Sequence, residues 1–169
     1  MKNKKLMLTS PILQDYKVRE AQEEDLEFLR ICKNAHRESF FFKEIISPEM
    51  QKKWFADYQR RDHDFMLIVE HEKERVGCLG FRKLVDRVDI YNLIVNSERK
   101  QGKGYMTIAL DLVCQEVWRR YSKMPITALV LRNNPALKYL LFRGFVVTAE
   151  HEEYFELTKE EFYHKREKK

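Results

Sequence analysis

The sequence predicts an α+β domain built on a mixed, mostly antiparallel sheet of six to seven strands with four flanking helices. Short segments with apolar–polar alternation or a continuous apolar run, both typical of strands, are interspersed with longer segments of helical periodicity. The predicted order is one strand, two helices, three strands, a helix, a strand, a helix and two strands. Because strands and helices neither alternate strictly nor separate into two blocks, we expect the helices on the faces of one mixed sheet.

The first half of the chain is predicted to contain strands at 16–21, 64–70 and 76–84 and helices at 23–39 and 47–60. Ser47 followed by Pro48 indicates the start of the second helix, since serine caps a helix N-terminus and proline fits its first turn. We expect this helix to bury three large side chains spaced four residues apart, namely Met50, Trp54 and Tyr58.

A polar turn at 71–75 indicates a hairpin between the second and third strands. Gly77 and Gly80 lie within the third strand. Glycine weakens a strand interior, so its presence there predicts a bulge or a close approach of another group to the backbone.

The second half is predicted to contain strands at 88–95, 126–131, 145–150 and 154–157 and helices at 106–121 and 136–143. Pro125 separates the first of these helices from the strand that follows. Gly144 indicates the end of the short helix, because glycine readily adopts the left-handed conformation just past a helix C-terminus.

The formal net charge of +5 lies in the two ends of the chain. Residues 1–5 and 164–169 each carry +3, which leaves the rest at −1. We therefore expect a partly ordered leader at 1–15, a single domain at 16–163 and a basic tail at 164–169. A body this close to neutrality predicts no nucleic-acid partner.

Cysteine and histidine show no spacing typical of a metal site or a disulfide framework. The three cysteines are far apart and lie in apolar contexts, and the five histidines are scattered, so we expect surface positions for the histidines and no metal. The sequence contains no apolar run long enough to cross a bilayer. These features predict a cytoplasmic protein without a membrane partner.

A short basic loop with two glycines lies between the strand at 88–95 and the helix at 106–121. Free backbone N–H groups and the dipole of the helix N-terminus favour an anion there, and Gly102 and Gly104 allow close approach to a phosphate. The pattern is neither the P-loop nor the three-glycine dinucleotide fingerprint. The loop therefore predicts either a phosphate site or a solvated turn.

Three stretches together resemble the GNAT superfamily of acyl-CoA-dependent N-acyltransferases. They are the opening from Tyr16 to Leu26, the strand at 88–95 with the loop behind it, and Asn133-Asn-Pro-Ala136 with the short helix that ends at Gly144-Phe145. The resemblance extends over about 16–163. In its loop the chain is most similar to the branch that includes ribosomal-protein N-terminal acetyltransferases.

The resemblance implies acetyl-CoA as co-substrate and no metal. The family's pyrophosphate loop fits in two registers, Arg99-x-x-Gly102-x-Gly104 and Gln101-x-x-Gly104-x-Met106, of which we favour the second although Met106 replaces a small residue. The cofactor-binding residues implied by the resemblance are Leu93, Ile94, Val95, Gln101, Gly102, Lys103, Gly104, Tyr105, Met106 and Asn133. In this fold the strands at 88–95 and 126–131 splay apart and the pantetheine arm fills the gap. Asn133 instead caps the short helix if it has only a structural role.

Asp89 is the candidate base, since it aligns with the family's frequent acid and is the one acid inside an apolar strand. Its alternative role is an ion pair with Arg82 or Arg87, or exposure to solvent. The family often has, at the position of Leu140, a tyrosine that acts as the general acid. Tyr139 is the neighbouring candidate acid, but one step around a helix turns a side chain by about 100°, so Tyr139 can equally pack in the core.

The predicted function is acetyl transfer from acetyl-CoA to a primary amine by direct attack in a ternary complex, with an oxyanion donor on the backbone near Ile94 or Val95. The acceptor is a small-molecule or peptide amine, and the protein is a monomer or a homodimer. Three acids expected near the acceptor entrance, Glu38, Glu44 and Glu49, favour a cationic amine or are simply solvated. Phe40–Phe42 form a pocket wall or part of the core. The alternative function is a catalytically silent CoA-binding module that acts as a sensor or binds a partner.

Overall fold

The computed structural model describes residues 6–96 and 102–160. The strands are β1 (Met7–Thr9), β2 (Tyr16–Glu20), β3 (Asp64–His71), β4 (Glu74–Lys83), β5 (Val88–Val95), β6 (Ile126–Leu131), β7 (Val146–Glu150) and β8 (Tyr154–Lys159). The helices are α1 (Leu26–Ala35), α2 (Pro48–Tyr58), α3 (Tyr105–Arg120) and α4 (Ala136–Phe142). The predicted α+β class, with four helices on a mixed sheet, is confirmed. No helix in the described part of the chain is long and apolar enough to cross a membrane.

The sheet has eight strands in the order β1-β2-β3-β4-β5-β6-β8-β7. The prediction of six to seven strands is too low by one, because Met7–Thr9 pairs antiparallel with β2 inside the segment that we expected to be a leader. Leu6 beside it is buried in the core. A segment of only three residues, without a clear alternation of apolar and polar side chains, shows too little periodicity to predict this edge strand from the sequence.

Two apolar cores lie on the two faces of the sheet. On one face, α3 and α4 cover a large core that includes Phe81, Leu110 and Val113. On the other face, α1 and α2 cover a smaller core that includes Leu29, Tyr58 and Ile94. The second core leaves room for a pocket, which is described below.

Two glycines of β4 have the close neighbours that the sequence predicts. A Cβ on Gly80 would meet the ring of Tyr91, and one on Gly77 would meet the carbonyl oxygen of Ile94 and the sulfur of Met106. The pairing of β4 with β5 shifts register between Cys78 and Gly80, which marks a bulge. The bulged strand is β5, where Asn92 has a left-handed φ of 50°.

Candidate functional site

Strands β5 and β6 open a cleft in the middle of the sheet. They are parallel neighbours, but only Val88 with Ile126 and Asp89 with Thr127 are paired, so the strands separate beyond these residues. The β5–β6 cleft has a volume of about 530 Å³. It is lined by His36, Ser39, Phe40, Leu93, Ile94, Val95, Gly102, Gly104, Tyr105, Met106, Thr107, Asn134, Pro135, Ala136 and Tyr139.

The backbone of β5 offers hydrogen-bonding groups to this cleft. The N–H of Asn96 donates to the carbonyl of Val76 at 2.9 Å, on the β4 side of the strand. Successive residues of an extended strand direct their backbone groups to opposite sides. The N–H of Val95 therefore points away from β4, toward the gap between β5 and β6.

The glycine loop ends the cleft at the N-terminus of α3. Gly102 and Gly104 have φ values of 72° and 78°, and Gly104 is the N-cap residue of α3. A Cβ at either glycine would meet no atom within 4 Å, so the conformation, not crowding, requires glycine here. The first N–H groups of α3 have no partner within the helix and face the loop, which makes this end of the cleft suited to an anion. Lys103, between the two glycines, is exposed.

Two side chains of the first turn of α3 are held by β2 and β4. The hydroxyl of Tyr16 donates to the carbonyl of Tyr105 at 2.5 Å, and the two rings stack at 6.5 Å. The sulfur of Met106 occupies the space above Gly77. The absence of a side chain at Gly77 thus makes room for methionine where a small residue was expected. Arg99 and Gln101, which distinguish the two loop registers, lie outside the described residues.

A second cavity, the α1–α2 pocket, adjoins the cleft at Ile94, which lines both. Its volume is about 300 Å³. It lies between the two helices and the sheet and is lined by Leu29, Lys33, Phe42, Ile46, Met50, Gln51, Trp54, Met66, Cys78, Asn92 and Ile94.

The prediction that α2 buries three large side chains is wrong for two of them, because these two line the α1–α2 pocket. Ser47 caps the helix as predicted, accepting a hydrogen bond from the Met50 N–H at 3.2 Å. Of the three side chains expected to be buried, only Tyr58 is; Met50 is 41% exposed and Trp54 is half-buried, and both line the pocket. Their spacing indicates one helix face, but it does not tell a packed face from a pocket wall.

The aromatic run at 40–42 contributes to both cavities. Phe40 lines the β5–β6 cleft and Phe42 lines the α1–α2 pocket. Phe41 is exposed and packs edge-on against Tyr154 at 5.3 Å. The pocket-wall interpretation is thus the correct one for two of the three rings.

Lys33 of α1 is the one cationic side chain among the described residues that line the α1–α2 pocket. Its ammonium donates to Oδ1 of Asn92 at 2.5 Å and lies 3.5 Å from the centroid of the Phe40 ring. No carboxylate of the described residues forms an ion pair with it. Burial lowers the pKa of Lys33 to about 8.

His36 follows α1 and lines the β5–β6 cleft, so the expectation of a surface position is wrong for this histidine. Its Nδ1 lies 3.0 Å from the carbonyl oxygen of Cys32. Because a carbonyl can only accept, Nδ1 carries the hydrogen, and Nε2 of the neutral ring bears a lone pair.

Asp89 lines neither cavity, so the structure gives no support to it as the candidate base. It lies in the short paired part of β5 and β6, at the closed end of the cleft. Its carboxylate accepts a hydrogen bond from the hydroxyl of Thr127, and the Arg87 guanidinium lies 3.5 Å away. The alternative weighed from the sequence, an ion pair with Arg87, is the arrangement found. An acid within an apolar strand therefore has structural partners here.

The position in the cleft that we expected for Asn133 belongs to its neighbour Asn134. Asn133 is exposed and donates to the carbonyl of Glu38 at 3.1 Å, outside the cleft. Asn134 lines the cleft, donates to the carbonyl of Ser39 at 3.0 Å and accepts from the N–H of Ala136 at 2.9 Å. Asn134 is thus the cleft residue, and its side chain also bonds the first residue of α4, whose N-cap position is Pro135.

Tyr139 faces the β5–β6 cleft, whereas Leu140 is buried in the core. The hydroxyl of Tyr139 donates to Oγ1 of Thr107 at 3.2 Å. Burial raises the pKa of Tyr139, so the hydroxyl keeps its proton at neutral pH. Leu140 occupies the position of the family's tyrosine but does not line the cleft. Tyr139, one position before it, does.

The residues of the two cavities that were not singled out from the sequence include Lys33, Gln51, Asn92 and Thr107. Lys33 had a readable signal, because it continues the apolar face of Leu26 and Leu29 at helical spacing. Asn92 also had a signal in the sequence, because asparagine adopts the left-handed backbone conformation more readily than most residues and is unusual inside an apolar strand. Within the described ranges, no three histidine, cysteine or acidic side chains are grouped to hold a metal.

Comparisons with known proteins agree with this architecture. The profile of the acetyltransferase (GNAT) domain matches residues 16–143. No curated protein sequence matches the chain. Apo FdhC, a nucleotide-linked sugar GNAT, is similar in structure with a TM-score of 0.76 at 15% identity, over 91% of each chain.

Two further solved structures contain coenzyme A. A spermidine N-acetyltransferase from Vibrio cholerae, in complex with CoA and spermine, has a TM-score of 0.73 at 16% identity, over 88% of this chain and 96% of that one. RimL, a ribosomal alpha-N-protein acetyltransferase in complex with coenzyme A, has a TM-score of 0.66 at 19% identity, over 89% and 94%. At such identities these likenesses show the fold, and the match of the domain profile over most of the chain shows the family. The chain belongs to the GNAT acetyltransferase family.

Proposed function

We propose that this protein transfers an acetyl group from acetyl-CoA to a primary amine that binds in the α1–α2 pocket. The observation that carries the proposal is the meeting of two cavities at Ile94. One is a long cleft that ends at a helix N-terminus, and the other is a small, mostly apolar pocket. A donor and an acceptor bound in the two cavities would react where they adjoin, without a covalent enzyme intermediate.

The β5–β6 cleft fits acetyl-CoA in three respects. The turn at Gly102–Thr107 offers free N–H groups to a pyrophosphate, with Lys103 beside it as an exposed cation. The open edge of β5 at Leu93 and Val95 offers backbone partners to the amides of a pantetheine arm. The thioester of acetyl-CoA would supply an activated acetyl group near Ile94.

Three groups of the cleft suit the proton transfers of this reaction. The lone pair on Nε2 of His36 can accept the proton of the incoming ammonium, so that the amine attacks in its neutral form. The N–H of Val95 can donate to the carbonyl oxygen as negative charge develops on it. The hydroxyl of Tyr139 can protonate the departing thiolate. The attacking nitrogen then releases its second proton, through solvent, to the tyrosine, so that the nitrogen carries the acetyl group, the sulfur carries a proton and Tyr139 is restored.

The test is an assay for CoA thiol release with a panel of primary amines, after calorimetry has measured the binding of acetyl-CoA. The proposal predicts binding and amine-dependent thiol release. We expect His36→Gln to lower kcat/KM by at least about a hundredfold. The control is His63→Gln, which changes an exposed histidine that lines neither cavity.

Two outcomes would contradict the proposal. Absence of acetyl-CoA binding would exclude both an acetyltransferase and a silent CoA-binding module. Binding without thiol release for any amine would favour the silent module. If transfer occurs and His36→Gln behaves like wild type, the assignment of the base to His36 is wrong while the proposed activity stands.

A further inference from the structure

The α1–α2 pocket has a chemistry that selects among amines. Six of the side chains that line it are entirely apolar apart from one indole nitrogen: Leu29, Phe42, Ile46, Met50, Trp54 and Met66. No carboxylate of the described residues lines it. The three acids that we expected at the acceptor entrance, Glu38, Glu44 and Glu49, are exposed and line neither cavity. A polyamine with several positive charges would find no counter-ion here, and it would meet the charge of Lys33.

Lys33 carries a positive charge that no described side chain neutralises. A buried cation is costly unless it is paired with an anion. Of its three hydrogen-bond donors, one is directed to Asn92 at 2.5 Å. The ring of Phe40 lies 3.5 Å from the ammonium, and no described residue accepts from the remaining donors. An anionic group of a molecule in the pocket would compensate the charge.

Gln51 of α2 provides a second, independent polar group. The residue is only 7% exposed and lines the pocket, and its side-chain amide forms no hydrogen bond with any described residue. The amide is not among the enclosed, unpartnered polar atoms of the described residues, so it is open to the pocket. A polar group of a molecule in the pocket can therefore hydrogen-bond to Gln51 as well as to the ammonium of Lys33.

We propose that the acceptor is an amine that carries both a carboxylate and an apolar side chain, as in a free apolar amino acid, and that Lys33 binds its carboxylate. This inference rests on the proposed acetyl transfer and specifies its acceptor. The apolar walls hold the side chain, and Gln51 offers a donor and an acceptor to the polar end. The amino group then lies toward Ile94, where the pocket adjoins the cleft.

The experiment compares three amines that differ in the carboxylate alone, with a polyamine as a fourth substrate. L-Leucine, L-leucinamide, 3-methylbutylamine and spermidine are assayed with wild type and with Lys33→Met and Lys33→Arg. We expect wild type to prefer leucine over leucinamide and 3-methylbutylamine, which lack the carboxylate, by at least about tenfold in kcat/KM. This factor corresponds to the free energy of one charge-assisted hydrogen bond. Lys33→Met should remove this preference by lowering the value for leucine alone, and Lys33→Arg should retain part of it.

A binding measurement tests the inference without relying on catalysis. The product pair, N-acetyl-L-leucine and N-acetyl-3-methylbutylamine, is titrated into the CoA-bound protein. The inference predicts that wild type binds N-acetyl-L-leucine more tightly than N-acetyl-3-methylbutylamine, and that Lys33→Met loses this difference. This result would support the inference even without turnover. Absence of turnover would contradict the proposed acetyl transfer instead.

Three results would overturn the acceptor class. One is a preference for spermidine or for 3-methylbutylamine over leucine in wild type. Another is an equal loss for all amines in Lys33→Met, which would assign Lys33 to the reaction itself. The third is equal binding of the two products. Circular dichroism of the variants verifies that each is folded.

Discussion

The ammonium of Lys33 and the side-chain oxygen of Asn92 are joined by a hydrogen bond of 2.5 Å. This bond connects α1 to the bulge of β5, where Asn92 has its left-handed backbone conformation. Both side chains line the α1–α2 pocket, and the ammonium also lies 3.5 Å from the centroid of the Phe40 ring, which lines the β5–β6 cleft. A cation is thereby held inside the pocket that we propose for the acceptor.

Replacing Lys33 by methionine should stabilise the protein at neutral pH more than at alkaline pH. Burial lowers the pKa of Lys33 from 10.5 to about 8. In the unfolded chain the amine keeps its proton up to about pH 10.5, so the cost of burying the charge is present in full below pH 8. The cost diminishes as the pH rises from 8 toward 10.5 and then disappears.

The measurement is the free energy of unfolding of wild type and Lys33→Met at pH 7 and pH 9.5. We expect the difference between the two proteins to shift by on the order of 1 kcal/mol in favour of the variant at pH 7, allowing for partial exposure of the group. Lys52→Met, at an exposed lysine of α2, should show no such shift.

Replacing Gly104 by alanine should weaken acetyl-CoA binding by about tenfold. A residue with a side chain in the left-handed conformation costs about 1–2 kcal/mol. The loop can relieve this strain by adopting another conformation, in which its N–H groups no longer face the cleft. Gly144→Ala is the matched control, since Gly144 has a φ of 90° and does not line the cleft. Both variants should lose stability in thermal unfolding. Only Gly104→Ala should lose affinity in calorimetry, and equal losses of affinity would mean that the loop has no specific role.

Replacing Tyr139 by phenylalanine should lower kcat by at least about a hundredfold while KM for acetyl-CoA changes little, because a general acid acts in the transition state. An acetyl thioester of a more acidic thiol needs less protonation, so the variant should lose less activity with it. Thr107→Val, which removes only the partner of the Tyr139 hydroxyl, should have a smaller effect. A loss that is the same for both thioesters would indicate that Tyr139 only supports the packing of α4.

Replacing Asp89 by asparagine should leave kcat/KM unchanged across the pH range in which the enzyme is folded. The carboxylate is bonded to Thr127 and lies near Arg87, at the closed end of the cleft. Its loss should lower the free energy of unfolding by about 1 kcal/mol, as for a partly exposed ion pair. A fall in kcat/KM of more than about tenfold, with folding intact, would return Asp89 to the catalytic site.

The fold could be predicted from the sequence because its elements carry strong local signals. The strands at 88–95 and 126–131 were predicted with the bounds that the structure has. The cap at Ser47 and the left-handed Gly144 also follow from local chemistry. The edge strand Met7–Thr9 escaped prediction because its pairing with β2 is a tertiary contact with hardly any local pattern.

The cofactor cleft could be predicted in outline, whereas the groups at the reacting centre could not. Seven of the residues implied by the family resemblance line one cleft: Leu93, Ile94, Val95, Gly102, Gly104, Tyr105 and Met106. Their positions follow from contiguous sequence. Asp89 and Asn133 were misplaced because the direction of a side chain depends on where β5 and β6 separate and on how one turn closes. The contact of Lys33 with Asn92 joins residues far apart in the chain, so no local pattern predicts it.

Mass spectrometry of the products tests acetyl transfer to nitrogen at the junction of the two cavities. The protein is incubated with acetyl-CoA carrying an isotopically labelled acetyl group and with L-leucine. We expect N-acetylleucine that contains the label, formed in equal amount to free CoA thiol. Labelled acetate without any acetylated amine, across leucine and the wider amine panel, would contradict it.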